Sequence, residues 1–170
     1  MPVHVDNQHP RLRVDKRRIA GHLRSVLKAL GRPNGVVDVS LVDDDAITAI
    51  NAEWRGVDAV TDVVSFAFEE GEPMPGAEEL LGDIVISLDT AARQADAMVA
   101  MIAQQPGGGV HPYDLASETL FLATHGLLHL LGHDHQKDEE AEAMEALERT
   151  LMATVTLAPL HALDRTDHAT

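Results

Sequence analysis

The chain has 170 residues, 45% of them hydrophobic, which is enough to form one sizeable hydrophobic core. Because it contains no cysteine, disulfide bonds and thiolate metal ligands are excluded, and a tightly bound transition metal must use histidine or carboxylate ligands. The net charge of −15 argues against a surface coated with basic residues for nucleic-acid binding, since neutralisation of phosphates supplies much of the affinity in such complexes.

The apolar pattern predicts four strands and five helices. Alternating or β-branched apolar residues mark the predicted strands, which are 3–5, 36–43, 61–68 and 80–87. Helical spacing and capping signals mark the helices, which run from Asp15 to Leu30, from Asp43 or Asp44 to Trp54, from Asp89 to Gln105, from Tyr113 to Leu131 and from Asp138 to Val155. The order β-α-β-α-β-β-α-α-α indicates an α+β fold (mixed α/β) with a small mixed sheet of about four strands covered by helices.

No feature of the sequence divides the chain into parts. There is no internal repeat and no long linker, so we expect residues 1–170 to form a single domain, with a disordered tail over about 158–170. The first residues lack a basic start followed by an apolar stretch, and no run approaches the roughly 20 apolar residues of a membrane span. We therefore expect a cytoplasmic protein without membrane contact.

The charge of the chain is unevenly distributed. Residues 1–32 carry eight basic and two acidic side chains, a net charge of +6, whereas residues 33–170 carry five basic and 26 acidic side chains, a net charge of −21. Such asymmetry is typical of a binding site for a polyanion, and it is equally typical of a solvated amphipathic helix. Both interpretations stay open at this point.

The sequence THGLLHLLGHDH (124–135) contains candidate metal ligands. His125 and His129 are four residues apart in a predicted helix, so their imidazoles project from one face about one turn apart and can bind the same ion. The candidates for a third ligand are His133 and His135. In a continuous helix His133 would lie about 12 Å from His125 along the axis, so the helix must turn, and Gly132 is placed to allow the turn. We expect His135 to complete the site.

Three histidine ligands without cysteine favour an open catalytic site over a closed structural one, because a structural zinc normally has four protein ligands. Zinc is the expected ion, one per chain, on a zincin-like metal-bearing helix. The spacing H-x-x-x-H-x-x-G-x-x-H is that of metzincin proteases, which carry a glutamate general base directly after the first histidine. Here that position is Gly126, so a peptidase would need another carboxylate, such as Glu118, as its base.

Three blocks of the sequence resemble the YbeY family of bacterial endoribonucleases. HGLLHLLGHDH (125–135) is similar to the family signature, INAEWRGVDAVTDVVSF (50–66) is similar to its block of asparagine, arginine and TDVLSF, and GDIVISLDTAARQA (82–95) is similar to its GDI strand and following helix. The position before Asp134 is commonly tyrosine in that family and is His133 here. The blocks lie between residues 50 and 135, and the resemblance extends over about residues 36 to 136, which is the larger part of the predicted domain.

The resemblance implies a zinc-dependent hydrolase that cleaves single-stranded RNA. It further implies a role in ribosomal RNA maturation and ribosome quality control, in association with the small ribosomal subunit. Arg55 matches the functional arginine of the family and is the expected catalytic residue, since a guanidinium stabilises negative charge on a phosphate. Asp134 could orient a ligand histidine or cap the turn.

Two alternatives remain open on the sequence alone: a zinc peptidase with metzincin-like spacing that lacks the usual glutamate, and a noncatalytic ribosome assembly factor stabilised by its metal. The histidines outside the signature are expected to be ordinary surface or loop residues; they are His4, His9, His22, His111, His161 and His168. Trp54 and Phe66 are expected to pack beneath the sheet.

Overall fold

The computed structural model of the chain describes residues 3–68, 78–105, 112–133 and 137–165. It contains a sheet of four strands, which are β1 (Val3–Asn7), β2 (Gly35–Val42), β3 (Val63–Ala67) and β4 (Glu79–Ser87). Five α-helices accompany it, which are α1 (Lys16–Ala29), α2 (Asp44–Arg55), α3 (Leu88–Gln104), α4 (Leu115–Leu130) and α5 (Asp138–Met152). The predicted α+β class and the mixed sheet of four strands are confirmed.

The strands lie in the order β1-β2-β4-β3. β1 pairs parallel with β2 and β2 pairs parallel with β4, whereas β3 pairs antiparallel with β4 at the edge of the sheet. Alternation along the strands separates two faces: Val37, Val39 and Leu41 of β2 point into the main core, whereas Val42 points to the other side. Helices α1, α3 and α4 cover the first face, and α2 covers part of the second.

The start and end of each helix follow from local chemistry. The side chain of Asp15 accepts a hydrogen bond at the start of α1, and Asp43 and Asp114 do the same for α2 and α4. Gly56 ends α2 in the left-handed conformation, with φ of +70°. Boundaries differ from those predicted by up to three residues; for example, α4 begins at Leu115 because Asp114 is its cap.

The C-terminal segment is more ordered than expected. Residues 158–165 were expected to belong to a disordered tail, but Leu160–Ala162 form a 3₁₀ helix and Ala158, Leu160 and Arg165 are buried. The expectation is therefore wrong for residues 158–165, and residues 166–170 lie outside the described ranges. Among the described helices, none combines the length and the apolar character that a membrane span requires.

Candidate metal centre

Helix α4 is the central helix of the molecule and carries the first two predicted ligands. Its residues from Ser117 to Leu128 are buried almost continuously, with α1, α3, α5 and the sheet around them. The helix ends in a Schellman motif, in which the N–H of His133 donates to the carbonyl of Leu128 and that of Gly132 donates to the carbonyl of His129, each over 3.0 Å. Gly132 has φ of +94°, so the predicted turn at this glycine is confirmed.

The imidazoles of His125 and His129 converge. Their Nε2 atoms are 3.1 Å apart, and their ring planes cross at 70°. Two nitrogens bound to one tetrahedral zinc at about 2.0–2.1 Å would lie about 3.3 Å apart, so this pair fits two ligands of one ion. No third histidine or carboxylate joins them among the described residues. The third predicted ligand, His135, and its neighbour Asp134 lie outside the described residues.

Glu148 of α5 fixes the orientation of His125. Its Oε2 atom accepts a hydrogen bond from Nδ1 of His125 over 2.8 Å, and both side chains are almost fully buried. Burial by itself would raise the pKa of Glu148, but hydrogen bonds from His125 and His161 outweigh it and hold the pKa at about 2. The carboxylate is therefore ionised at neutral pH and accepts the Nδ1 proton, which leaves the Nε2 lone pair of His125 directed at His129.

His161 binds the same carboxylate from the opposite side. Its Nε2 atom lies 3.1 Å from Oε1 of Glu148, and its ring packs edge-on against Phe121 at 5.7 Å between centroids. A cavity of about 150 Å³ adjoins these side chains, between α4, α5 and the C-terminal segment. The cavity is smaller than typical small-molecule pockets, so it is too small for a nucleotide, and its lining includes His125 but not His129.

Gly126 explains why no glutamate follows the first histidine. A Cβ atom at this position would lie 2.9 Å from Cγ2 of Ile84 and 3.0 Å from Oγ of Ser65. Helix α4 therefore packs against β3 and β4 at this residue, and Ser65 also donates a hydrogen bond to the Gly126 carbonyl. A longer side chain at position 126 would collide with the sheet.

Glu118, the substitute base considered from the sequence, is already committed elsewhere. It is fully buried, accepts two hydrogen bonds from the guanidinium of Arg165 at 2.9 Å each, and accepts a third from the Tyr113 hydroxyl at 2.6 Å. Both oxygens of Glu118 are therefore engaged by Arg165 and Tyr113 inside the core. The structure thus disfavours the peptidase alternative, because neither position 126 nor Glu118 offers a carboxylate as general base.

Arg55 is the last residue of α2 and is exposed. Beside it, Trp54 is 68% exposed and meets Phe66 of β3 edge to face, with 6.4 Å between ring centroids. The expectation that Trp54 packs beneath the sheet is therefore wrong. The loop from α2 to β3 is held by Asn51, whose amide donates to the carbonyl of Ala59, and by the buried Asp62.

Several polar residues of the core were missed from the sequence or given another role. His9 and His161 were expected at the surface, but His9 is buried against Asp89 at 2.8 Å and His161 binds Glu148. Glu148 was not singled out at all. A signal existed, because Met144, Glu148 and Met152 recur at four-residue spacing on the buried face of α5. His111 and His168 lie outside the described residues.

Comparison with known proteins gives matches over nearly the whole chain. Residues 4–156 match the family model described as Endoribonuclease YbeY. Endoribonuclease YbeY of Pelotomaculum thermopropionicum is 42% identical over 164 residues, which cover 92% of this chain and 99% of the relative. That of Moorella thermoacetica is 44% identical over 146 residues, which cover 79% and 85%.

A solved structure supports the fold. The solution structure of a protein from Thermotoga maritima is similar with a TM-score of 0.50 and 21% identity, and the match covers 89% of this chain and 90% of that chain. At this identity the likeness concerns the fold alone.

Proposed function

The chain belongs to the YbeY family, and from this premise we propose that it is a zinc-dependent endoribonuclease that cleaves single-stranded RNA. Its place of action is the cytoplasm, in ribosomal RNA maturation and ribosome quality control on the small ribosomal subunit. The curated relatives are named endoribonucleases, which supports the reaction class. The observation that carries the proposal is the 3.1 Å convergence of the His125 and His129 Nε2 atoms, fixed by the Glu148 carboxylate.

In this proposal His125, His129 and His135 hold one zinc ion per chain. The ion supplies Lewis-acid chemistry to the site when it is bound, both toward a phosphoryl oxygen and toward water. Glu148 accepts the Nδ1 proton of His125 and keeps its Nε2 lone pair available as a ligand. The Schellman turn at Gly132 reverses the chain after α4, which supports the return of His135 toward the other two histidines.

Arg55 is the proposed catalytic cation. The negative charge of a phosphodiester grows on its nonbridging oxygens as a bond to phosphorus forms, and a guanidinium with paired donors stabilises that charge better than a lysine would. The exposure of Arg55 at the end of α2 leaves its side chain accessible to RNA.

The test compares His129→Ala, His135→Ala and Arg55→Glu with the native chain, in metal content and in cleavage of single-stranded and duplex RNA. We expect both histidine variants to lose bound zinc and cleavage together. Arg55→Glu should keep its zinc and cleave roughly 10²–10³ times more slowly, the scale of losing one electrostatic stabiliser of the transition state.

His133→Ala is the matched control, since His133 is exposed after the turn and has no assigned role. It should keep both zinc and activity. Cleavage by Arg55→Glu at the native rate would show that Arg55 has no catalytic role. Loss of zinc in His133→Ala but not in His135→Ala would show that the third ligand is His133 and not His135. A native chain that binds zinc and RNA but never cleaves would instead support the noncatalytic assembly factor.

A further inference from the structure

Helix α1 carries a row of positive side chains along its solvent side. Its sequence KRRIAGHLRSVLKA contains five basic residues and no acidic residue. Arg17, Arg24 and Lys28 are seven and four residues apart, so they line one face over about 16 Å. The buried residues Ile19, Leu23, Val26 and Leu27 face the core instead. We call Arg17, Arg24 and Lys28 the basic face of α1.

This arrangement is electrostatically unfavourable for the helix itself. Lys16, Arg17 and Arg18 occupy the first turn, where the helix dipole favours negative charge. The other α-helices of the described chain each have at least one acidic residue in the first turn. A solvated helix face usually mixes both signs of charge, because pairs three or four residues apart then attract each other. The cap residue Asp15 lies at the start of α1 only, and within the helix Arg24 and Lys28 have no acidic residue three or four positions away, so solubility alone does not account for the pattern.

Arg24 gives a second and independent indication of a ligand. Its Nη1 atom is buried and has no hydrogen-bond partner among the described residues. Its guanidinium lies beside Gly21, with Nη2 3.9 Å from where a Cβ of that glycine would be. A guanidinium nitrogen without a partner is an unfulfilled donor, and the missing side chain at position 21 leaves space next to it. An anion beside Gly21 would give this donor a partner once the guanidinium turns toward it.

We propose that the basic face of α1 is a docking surface for the phosphate backbone of RNA, separate from the metal centre. The inference rests on the proposed endoribonuclease function and adds a binding surface to it. Residues 1–32 carry +6 while the rest of the chain carries −21, so a polyanion is attracted to this part of the chain and repelled elsewhere. The row is long enough to contact several successive phosphates of one strand.

The placement of α1 connects this surface with the metal centre. His22 of α1 hydrogen-bonds the Thr124 hydroxyl over 2.9 Å, and Thr124 directly precedes the ligand His125. The helix that binds the backbone therefore packs on the helix that carries the ligands. An RNA strand docked on α1 is thereby held on the same rigid unit as the cleavage site.

The test uses the native chain and two double variants with the same change in net charge. Arg17→Glu/Lys28→Glu alters the basic face, and Lys137→Glu/Arg149→Glu alters two exposed basic residues at the start and near the end of α5. Binding to a fluorescent 2′-O-methyl RNA strand, which does not require cleavage, is measured by anisotropy at several salt concentrations. Cleavage of a long and a very short RNA is measured in parallel.

We expect the α1 variant to bind the long strand roughly tenfold more weakly, with a salt slope reduced by about 1.4, the value for two phosphate contacts on a single strand. Its KM for long RNA should rise while kcat and cleavage of the short RNA stay unchanged. The control variant should match the native chain in all of these.

Equal weakening in the two double variants would overturn the inference, since net charge alone would then explain the effect. Unchanged RNA binding in the α1 variant would overturn the inference as well, and an acidic protein would then be the ligand to test for the basic face. In both cases cleavage by the native chain keeps the nuclease proposal intact, whereas absence of both cleavage and RNA binding in the native chain would remove both proposals.

Discussion

At the scale of single residues, the proposed metal centre depends on a carboxylate that is not one of its proposed ligands. Glu148 accepts hydrogen bonds from His125 and His161 through its two oxygens and lies on α5, whereas the proposed ligands His125 and His129 lie on α4. A histidine ligand whose second nitrogen donates to a carboxylate has a fixed ring orientation and is a stronger donor to the metal. The position of Glu148 on α5 thus couples the packing of α5 against α4 to the geometry of the site.

Replacement of Glu148 by glutamine should weaken zinc binding by about 10- to 100-fold, because the neutral amide no longer polarises the imidazole of His125. Competition with a chelator measures the affinity, and the unfolding transition of the variant checks that the fold is intact. Glu142→Gln, an exposed residue on the same helix, is the control and should bind zinc as the native chain does. Equal affinities for the Glu148 and Glu142 variants would mean that the carboxylate does not tune the ligand.

Residues whose role is local were predictable from the sequence, and residues whose role depends on distant partners were not. The caps Asp15 and Asp43 and the turn at Gly132 involve neighbours within five positions in the chain, and all three are confirmed. Glu148 lies 23 residues from His125, and His9 lies 80 residues from Asp89. The residue pattern within one helix or strand gives no information about partners that lie so far away in the chain.

At the scale of elements, one polar network joins the starts of α2 and α3. Asp44 accepts hydrogen bonds from the hydroxyls of Ser87 and Thr90 at 2.6 and 2.7 Å, and its backbone N–H donates to Asp89 over 3.0 Å. Asp89 in turn binds His9, which follows β1. Because Ser87 ends β4, the network holds both helices at the same edge of the sheet.

The network makes stability depend on pH in the acid range. Burial by itself raises the pKa of Asp44 and of Asp89, but the hydrogen bonds that they accept outweigh it and lower both pKa values below 3.8 in the folded protein. Each carboxylate therefore stabilises the fold fully above the pKa of the unfolded chain, and this contribution is lost as the pH falls through the lowered folded value.

Asp89→Asn should lower the free energy of unfolding at neutral pH by about 1–3 kcal/mol, the cost of weakened hydrogen bonds to a charged acceptor. Its stability should also decline less steeply than that of the native chain below about pH 4. Urea denaturation at a series of pH values measures both effects. Asp96→Asn, exposed on the same helix, should follow the native curve. A native-like slope in Asp89→Asn would show that Asp89 does not contribute to the acid dependence.

The sequence predicts every strand and α-helix of the described residues, because each combines an apolar period with a cap or a stop, but it does not predict the 3₁₀ helix Leu160–Ala162. It did not find the environment of α4. α1 and α2 each have one buried side and one polar side, so their apolar pattern shows which side faces the core. α4 is buried on all sides from Ser117 to Leu128, so its apolar pattern does not show which elements surround it. The close packing at Gly126 likewise depends on Ile84 and Ser65, which belong to two different strands.

At the scale of the whole molecule, the C-terminal segment closes over α4 through a buried ion pair. The guanidinium of Arg165 binds both oxygens of Glu118, donates to the carbonyl of Leu160, and lies 4.3 Å from the ring centroid of Phe121. The sequence predicts a frayed tail here. It does not show that Arg165, the one arginine of the segment, pairs with a carboxylate 47 residues earlier in the chain. The same segment carries His161, so its docking also completes the surroundings of Glu148.

Arg165→Ala should lower the free energy of unfolding by about 3–5 kcal/mol, because it leaves the fully buried carboxylate of Glu118 without a counter-charge. The double variant Glu118→Leu/Arg165→Met, which removes both charges and keeps apolar volume, should recover a large part of this loss, as apolar replacements of buried ion pairs often do. Arg149→Ala, exposed on α5, should change stability by less than about 0.5 kcal/mol. Urea denaturation of the three variants measures these differences. If Arg165→Ala were as stable as Arg149→Ala, the C-terminal segment would not be held on α4 by this pair, and the contact between His161 and Glu148 would lose its structural support.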